Sequence, residues 1–303
     1  MQFCFHFITI LTLGGFALAL SAAPGTQTMG RDEQFLSAGF QRIEDVNTFP
    51  AYVYVPEKLF RHPEHQARVL AIFHGDDGIY DDDESNNAVI DLLFMWRSFA
   101  DRQGWILVAP KFRESQYRND HQRFNVGAKR SDLAFNQWMD KLADSALNVD
   151  VKQLYLFGFS GGGQFVHRYA AFYPNRVAAA VASSSGWYLW PDTNIAYPVG
   201  IKEGSYPADL SPSFTDLCRG NLLTVVGEGD FRIPEPTQYN AYDLHQWQGG
   251  SRVERARNWV NAVKLANRSM NHCGLELVVL PNLGHDTDMN MVERSIEHFL
   301  NDD

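Results

Sequence analysis

Gly158-Phe159-Ser160-Gly161-Gly162 is a G-x-S-x-G, and it stands between an apolar run and an amphipathic one. Leu154-Tyr155-Leu156-Phe157 reads as a short buried strand. Residues 164–172 carry Phe165, Val166, Tyr169, Ala170 and Phe172 at helical spacing. A serine on so tight a strand-to-helix turn takes a positive φ, which lifts its hydroxyl clear of the sheet. Side chains at Gly158 or Gly162 would collide with the adjacent strand and helix, so glycine is needed there. The turn also aims the free N–H groups of the next helix at the reacting centre. The competing reading is a glycine-rich turn whose serine merely caps a helix. The flanking strand and helix, and the partners downstream, favour a nucleophile.

A serine hydroxyl is a poor nucleophile at neutral pH and needs a base with a pKa of about 7. His285, in Pro281-Asn282-Leu283-Gly284-His285-Asp286, follows an apolar run and precedes a helical one, and is the candidate. His74, His121, His167, His245 and His272 are weaker, and His167, on the helix after the turn, reads as structural. An imidazole base needs an acid to hold its tautomer. Asp230 in Gly227-Glu228-Gly229-Asp230 is the choice, with Glu228 as the alternative. Asp286 and Asp288 are closer to His285 in sequence, but a helix start explains them. His74-Gly75-Asp76-Asp77-Gly78 follows another apolar run. The N–H of Asp76, or of Asp77, is expected to join that of Gly161 in holding an oxyanion. Carboxylates there oppose a developing negative charge, so their side chains are expected to point away.

These residues need a scaffold that brings them to one place. Residues 40–46 and 51–55 read as two early strands, followed by strands at 68–73, 105–109, 154–157, 177–182, 222–226 and 275–280. Helices are expected at 86–102, with Val89, Leu92, Leu93, Trp96 and Phe99 on one side, and at 131–147, with Ser131 as cap. Further helices are expected at 164–172, 252–270 and 289–300. Alternating strands and helices argue an α/β fold with a mostly parallel central sheet and helices on both faces. Right-handed crossovers put every parallel strand's C-terminal end on one edge, where ligands bind. Ser160, Asp230 and His285 all fall just past such ends.

The order Ser, Asp, His is the one found in α/β-hydrolases. On HGDDG at 74–78, GFSGG at 158–162, GEGD at 227–230 and GHD at 284–286, the chain resembles secreted α/β-hydrolases. The likeness is to the polyhydroxybutyrate-depolymerase-like and feruloyl-esterase-like group. The motifs are specific for the superfamily and weak for any one substrate. The departure is the pair of aspartates where the HGGG-type loop has glycines, which leaves the exact oxyanion donor open. The resemblance implies esterase activity on an acyl ester, in a small molecule or a polymer.

The remaining chain sets bounds. With 303 residues and 45% hydrophobic content, it is of a size that α/β enzymes often fill as one domain. The net charge of −10 argues against nucleic acid or anionic membranes as partners. Residues 7–20 are an apolar run followed by Ser21, Ala22 and Ala23, which reads as a signal peptide over 1–23. It lacks the usual basic start, and the alternative is an uncleaved anchor, for which the run is short. A secreted or periplasmic domain over 24–303 is then expected, with no stable membrane insertion after cleavage.

Cys218 and Cys273 are the cysteines beyond that segment, each just upstream of an apolar run. If those runs are neighbouring parallel strands, a disulfide joins them opposite the catalytic edge; the alternative is two buried thiols. Trp187, Tyr188 and Trp190 begin an irregular insertion at about 186–214. They either line the mouth of a pocket, suiting an aromatic acyl group or a sugar face, or cover the core. Lys111, Arg113, Arg118, Arg123, Lys129 and Arg130 read as a solvated loop paired with acids rather than an anion site. Asp81-Asp82-Asp83-Glu84 lacks EF-hand spacing and reads as acids before a helix capped by Ser85. No dinucleotide or P-loop fingerprint is present, and neither a cofactor nor a metal is expected. The resemblance thus implies a serine esterase. A peptidase, an acyltransferase or a non-catalytic binding protein of the same fold are the rivals.

Overall fold

The computed structural model describes residues 26–28, 36–45, 47–76, 88–117, 121–124, 129–231 and 241–301. The expectations for the segment 1–23, for Asp77, for Arg118 and for the acidic run 81–84 with Ser85 lie outside these residues.

Nine strands form one sheet: β1 (Thr26–Thr28), β2 (Gly39–Glu44), β3 (Ala51–Val55), β4 (Ala67–Phe73), β5 (Ile106–Pro110), β6 (Val149–Phe159), β7 (Val177–Ser183), β8 (Asn221–Gly227) and β9 (Glu276–Leu280). Their spatial order is β1-β2-β3-β5-β4-β6-β7-β8-β9. The pairings of β3 with β2 and with β5 are antiparallel. From β5 through β4 and on to β9 every pairing is parallel. β4 (ARVLAIF) and the second half of β6 (LYLFGF) run almost without polar residues, as strands covered on both faces must.

The helices are α1 (Lys58–Arg61), α2 (Ala88–Phe94), α3 (Arg97–Gln103), α4 (Glu114–Tyr117), α5 (Ser131–Ala143), α6 (Gly161–Phe172), α7 (Phe214–Arg219), α8 (Ala241–Trp247), α9 (Arg252–Ala266) and α10 (Met289–Leu300). One apolar layer takes Trp138 and Met139 from α5, Phe165 and Tyr169 from α6, and Trp259 and Val263 from α9. The layer on the opposite face takes Leu93 from α2, Phe99 from α3, and Met291 and Phe299 from α10. None of the helices among the described residues is long and apolar enough to cross a membrane.

Local reading of the chain departs from this structure in several places. The single helix expected over 86–102 is two, because the backbone tightens at Met95-Trp96, where Trp96 N–H bonds Leu93 O at 3.1 Å. The break lets Val89, Leu92, Leu93, Trp96 and Phe99 all bury. Ser131 does not cap α5: the capping position is Arg130, and the Ser131 hydroxyl donates to His121 O instead. That helix ends at Ala143 rather than near Leu147, and α9 ends at Ala266 rather than Met270.

Cys218 on α7 and Cys273 before β9 form a disulfide with Cα atoms 4.5 Å apart. Because β8 and β9 are parallel neighbours, the bridge lies at their N-terminal ends. The opposite edge of the sheet carries the chemistry-bearing residues.

Candidate active site

Ser160 sits between β6 and α6 with φ 53° and ψ −110°, a strained conformation for a residue with a side chain. Two contacts force it. A Cβ on Gly158 would lie 2.2 Å from Gly162 O, and one on Gly162 would lie 2.1 Å from Phe73 O at the end of β4. The chain can therefore turn this sharply only with glycine at both positions. The Ser160 amide donates to Ser183 O of β7 at 2.9 Å, which pins the turn to the next strand.

Asp230 and His285 come from two loops stitched together. Glu228 N–H donates to Leu280 O at 2.8 Å, and Gly229 N–H to Leu283 O at 2.8 Å. Asn282 at φ 57° reverses the chain after β9. The outcome is that His285 Nδ1 lies 2.8 Å from Asp230 Oδ2 and His285 Nε2 lies 3.1 Å from Ser160 Oγ. Asp230 is fully buried and Ser160 nearly so. Because a carboxylate can only accept, the Nδ1 proton goes to Asp230, and Nε2 is left to accept from the serine hydroxyl. The Phe159 ring packs on the imidazole with centroids 4.9 Å apart. Glu228, the alternative acid, is exposed and does not meet His285. Asp288 caps α10 by accepting from Met291 N–H at 2.9 Å, and Asp286 bonds the amide of Thr287.

The loop after β4 lies against the elbow. A Cβ on Gly161 would meet Asp76 N at 3.5 Å and Asp76 Oδ1 at 2.4 Å. The Asp76 amide nitrogen thus lies near Gly161. Its carboxylate lies near Gly161 as well, on the side where a Gly161 side chain would stand. His74 holds this loop. Phe112 N–H donates to His74 Nε2 at 3.1 Å, so the proton is on Nδ1, which donates to Gly75 O at 2.6 Å.

His167 and His121 are buried in structural environments. His167 is fully buried, with Nδ1 on Gly163 O at 2.9 Å and Nε2 accepting from Leu189 N–H at 2.9 Å. Burial holds it and His121 well below the usual histidine pKa. Trp187 and Tyr188 are both buried. Tyr188 is fully buried and stacks on Trp259 at 4.6 Å. Trp187 is buried under the Arg168 guanidinium, 4.5 Å from its ring centre. Trp190 is partly buried against the same apolar layer.

Polar contacts fasten this insertion to the helices beneath. Trp259 Nε1 donates to Leu189 O at 2.7 Å, Arg255 Nη1 to Gly186 O at 2.7 Å, and Gln248 bonds both backbone groups of Tyr188. In the basic segment Arg113 pairs with Glu44, Arg130 with Asp132 and Asp209, and Lys129 donates to Asn47 O. Among the described residues no group of three His, Cys, Asp or Glu side chains is placed to hold a metal ion.

One functional neighbour escapes sequence reasoning. Arg252, the first residue of α9, is buried with Nη1 3.5 Å from Asp230 Oδ1. It reads in sequence as one more charge on an amphipathic helix, and no local signal marks it.

Known proteins share this arrangement of elements. The family model described as alpha/beta hydrolase fold matches residues 99–218. Over 153 residues the chain is 28% identical to the bifunctional acetylxylan esterase/xylanase XynS20E of Neocallimastix patriciarum. That match takes in 50% of this chain and 20% of the fungal enzyme, so the chain spans about a fifth of that relative's length. Poly(aspartic acid) hydrolase-1 from Sphingomonas sp. KT-1 superposes with a TM-score of 0.70 at 20% identity, over 86% of this chain and 98% of that one. LpqC, a poly(3-hydroxybutyrate) depolymerase from Bordetella parapertussis, superposes with a TM-score of 0.64 at 25% identity, over 82% and 86%.

Proposed function

Starting from a chain that has the α/β-hydrolase fold and resembles esterases that share it, we propose a serine hydrolase that cleaves carboxylic esters through an acyl-enzyme. The observation that carries this reading is the unbroken path from Ser160 Oγ to His285 Nε2 and from His285 Nδ1 to Asp230 Oδ2. In this reading Ser160 Oγ attacks the ester carbonyl while His285 Nε2 takes its proton. Asp230 holds the Nδ1–H tautomer and stabilises the imidazolium. The amides of Gly161 and Asp76 hold the oxyanion, and His285 returns its proton to the leaving alcohol. Water, deprotonated by the same imidazole, then releases the acid.

The Asp76 carboxylate beside Gly161 disfavours acyl groups that carry negative charge near the carbonyl, so neutral esters are the favoured class. We place the enzyme outside the cytosol. The apolar run at 7–20 and the Cys218–Cys273 disulfide both support this, since such bonds persist in oxidising compartments.

Hydrolysis of p-nitrophenyl esters from acetate to octanoate, with a feruloyl ester beside them, tests the reading. Activity in wild type that disappears in Ser160→Ala, with fluorophosphonate labelling at Ser160, is the expected result. A well-folded wild type that is inert to every ester and is not labelled overturns it. Cleavage of amides in preference to esters, or acyl transfer to an added alcohol in preference to water, redirects the assignment to a peptidase or a transferase.

A further inference from the structure

Asp230 has a second partner that the steps above do not use. Its carboxylate is fully buried, with Oδ2 toward His285 and Oδ1 toward Arg252 Nη1 at 3.5 Å. The Arg252 side chain is only 7% exposed, so solvent screens this pair weakly. Its backbone is fixed at the start of α9, where Ser251 Oγ accepts from Glu254 N–H at 3.2 Å. One turn on, Arg255 is fully buried too, and burial beside Arg252 lowers its pKa to about 10. Placing two guanidinium groups in one buried layer is costly, and apolar side chains of similar volume would fill it more cheaply. The cost calls for a task, and Arg252 points at Asp230.

We propose that Arg252 is a positioning residue for the Asp230–His285 pair: it locks the carboxylate rotamer and offsets its charge. The proposal rests on the reading of Asp230 as the acid that orients His285. A lone buried carboxylate stabilises the imidazolium and raises its pKa. A cation on the far oxygen removes part of that stabilisation.

The groups that face the pair come from every side. They are Ser160 and the Phe159 ring at the elbow, Arg252 with Arg255 behind it on α9, and the Tyr188 hydroxyl from the insertion. Burial raises the Tyr188 pKa, so that hydroxyl stays neutral. Asp286 and Glu228, on the two loops, are exposed, and Asp76 is exposed beside Gly161. Among the described residues, Arg252 is the buried cation in contact with the pair.

The sign follows directly. The reactive form has neutral His285, so removing the cation leaves the carboxylate's charge to favour the imidazolium and is expected to move the acidic limb of kcat/KM to higher pH. The expected displacement is about one pH unit. The test is the pH profile of kcat/KM on p-nitrophenyl acetate for the full chain as wild type, Arg252→Met, Arg252→Lys and Arg255→Met.

Arg252→Met is expected to shift the limb upward while keeping the plateau within about tenfold of wild type. Arg252→Lys should return the limb toward wild type. Arg255→Met, which removes a buried arginine that bonds carbonyls rather than Asp230, should leave the limb in place. A uniform loss at every pH with an unmoved limb overturns the proposal, as does an equal displacement in the Arg255 variant. Should Arg252→Met not fold, Arg252→Gln carries the same comparison; failure of both to fold marks the arginine as a packing element and also overturns it. Ser160→Ala run alongside separates the two levels. Activity that survives it sinks the serine-hydrolase reading, whereas Ser160-dependent activity with an unmoved limb sinks only the role of Arg252.

Discussion

The two edges of the parallel sheet are built on opposite terms. At the C-terminal edge the backbone is strained and the side chains are polar. Ser160, Ser184 and Asn282 all take positive φ there, and Ser160, Asp230 and Arg252 are buried polar groups. Each strained residue costs on the order of 1–3 kcal/mol. At the N-terminal edge a disulfide joins the approaches to β8 and β9, closing a separation of 55 residues. Arg68 on β4 lies over both Trp105 and Tyr155 at 5.6 Å, on the same half of the sheet. One edge holds the proposed catalytic groups on strained backbone, and the other carries covalent and packing constraint. Activity and stability should therefore separate by edge.

The sharpest way to break that contrast is Ser160→Gly. It removes the proposed nucleophile and relieves the positive φ, so kcat should fall by about four to six powers of ten while stability rises by about 1 kcal/mol. Esterase assays and urea unfolding on the same preparation read both; a variant less stable than wild type would deny that the elbow stores strain.

Asp230→Asn comes next. An amide in place of the carboxylate lets the wrong tautomer of His285 form, and kcat should drop by about 10⁴ with geometry kept. A loss of only a few-fold would transfer the role to another acid. At the other edge, Cys218→Ser with Cys273→Ser should lower unfolding free energy by about 2–4 kcal/mol and leave kcat/KM within about threefold. A large catalytic loss at temperatures where this variant is folded would join the two edges into one unit.

The smallest effect is expected from Asp76→Asn. Its exposed carboxylate opposes an anion forming beside Gly161, so its removal should raise kcat on a neutral ester by about three- to tenfold at low salt, and less at high salt. A fall in kcat would instead give that carboxylate a positive part in the reaction.

Much of this was legible without coordinates because its signals are local. The strands β4, β6, β7 and β8 announce themselves as short apolar runs between helical patterns. The glycines at 158 and 162 mark a turn that no other residue allows, and the structure shows the colliding atoms, Gly162 O and Phe73 O. His285 and Asp230 are nominated by their places after strands, and the structure brings both within hydrogen-bonding distance of their neighbours. What was illegible depends on distant parts of the chain. Trp187 and Tyr188 read equally as a pocket rim or a cover over the core until Arg168 and Trp259 are seen to pack on them. Ser131 looks like a cap until His121 O is seen to accept its hydroxyl.

The chain's own pattern therefore determined the alternation of elements, the edge at which polar loops gather and the turn that must carry the serine. These follow from periodicity and from the steric limits on φ, which act within a few residues. Tertiary structure alone decided which way the Asp76 carboxylate lies, that the aromatic insertion is fastened down rather than open, and that a guanidinium from α9 meets the acid. Those outcomes depend on which side chains from remote segments compete for the same buried volume, a balance of desolvation and pairing that no local stretch contains.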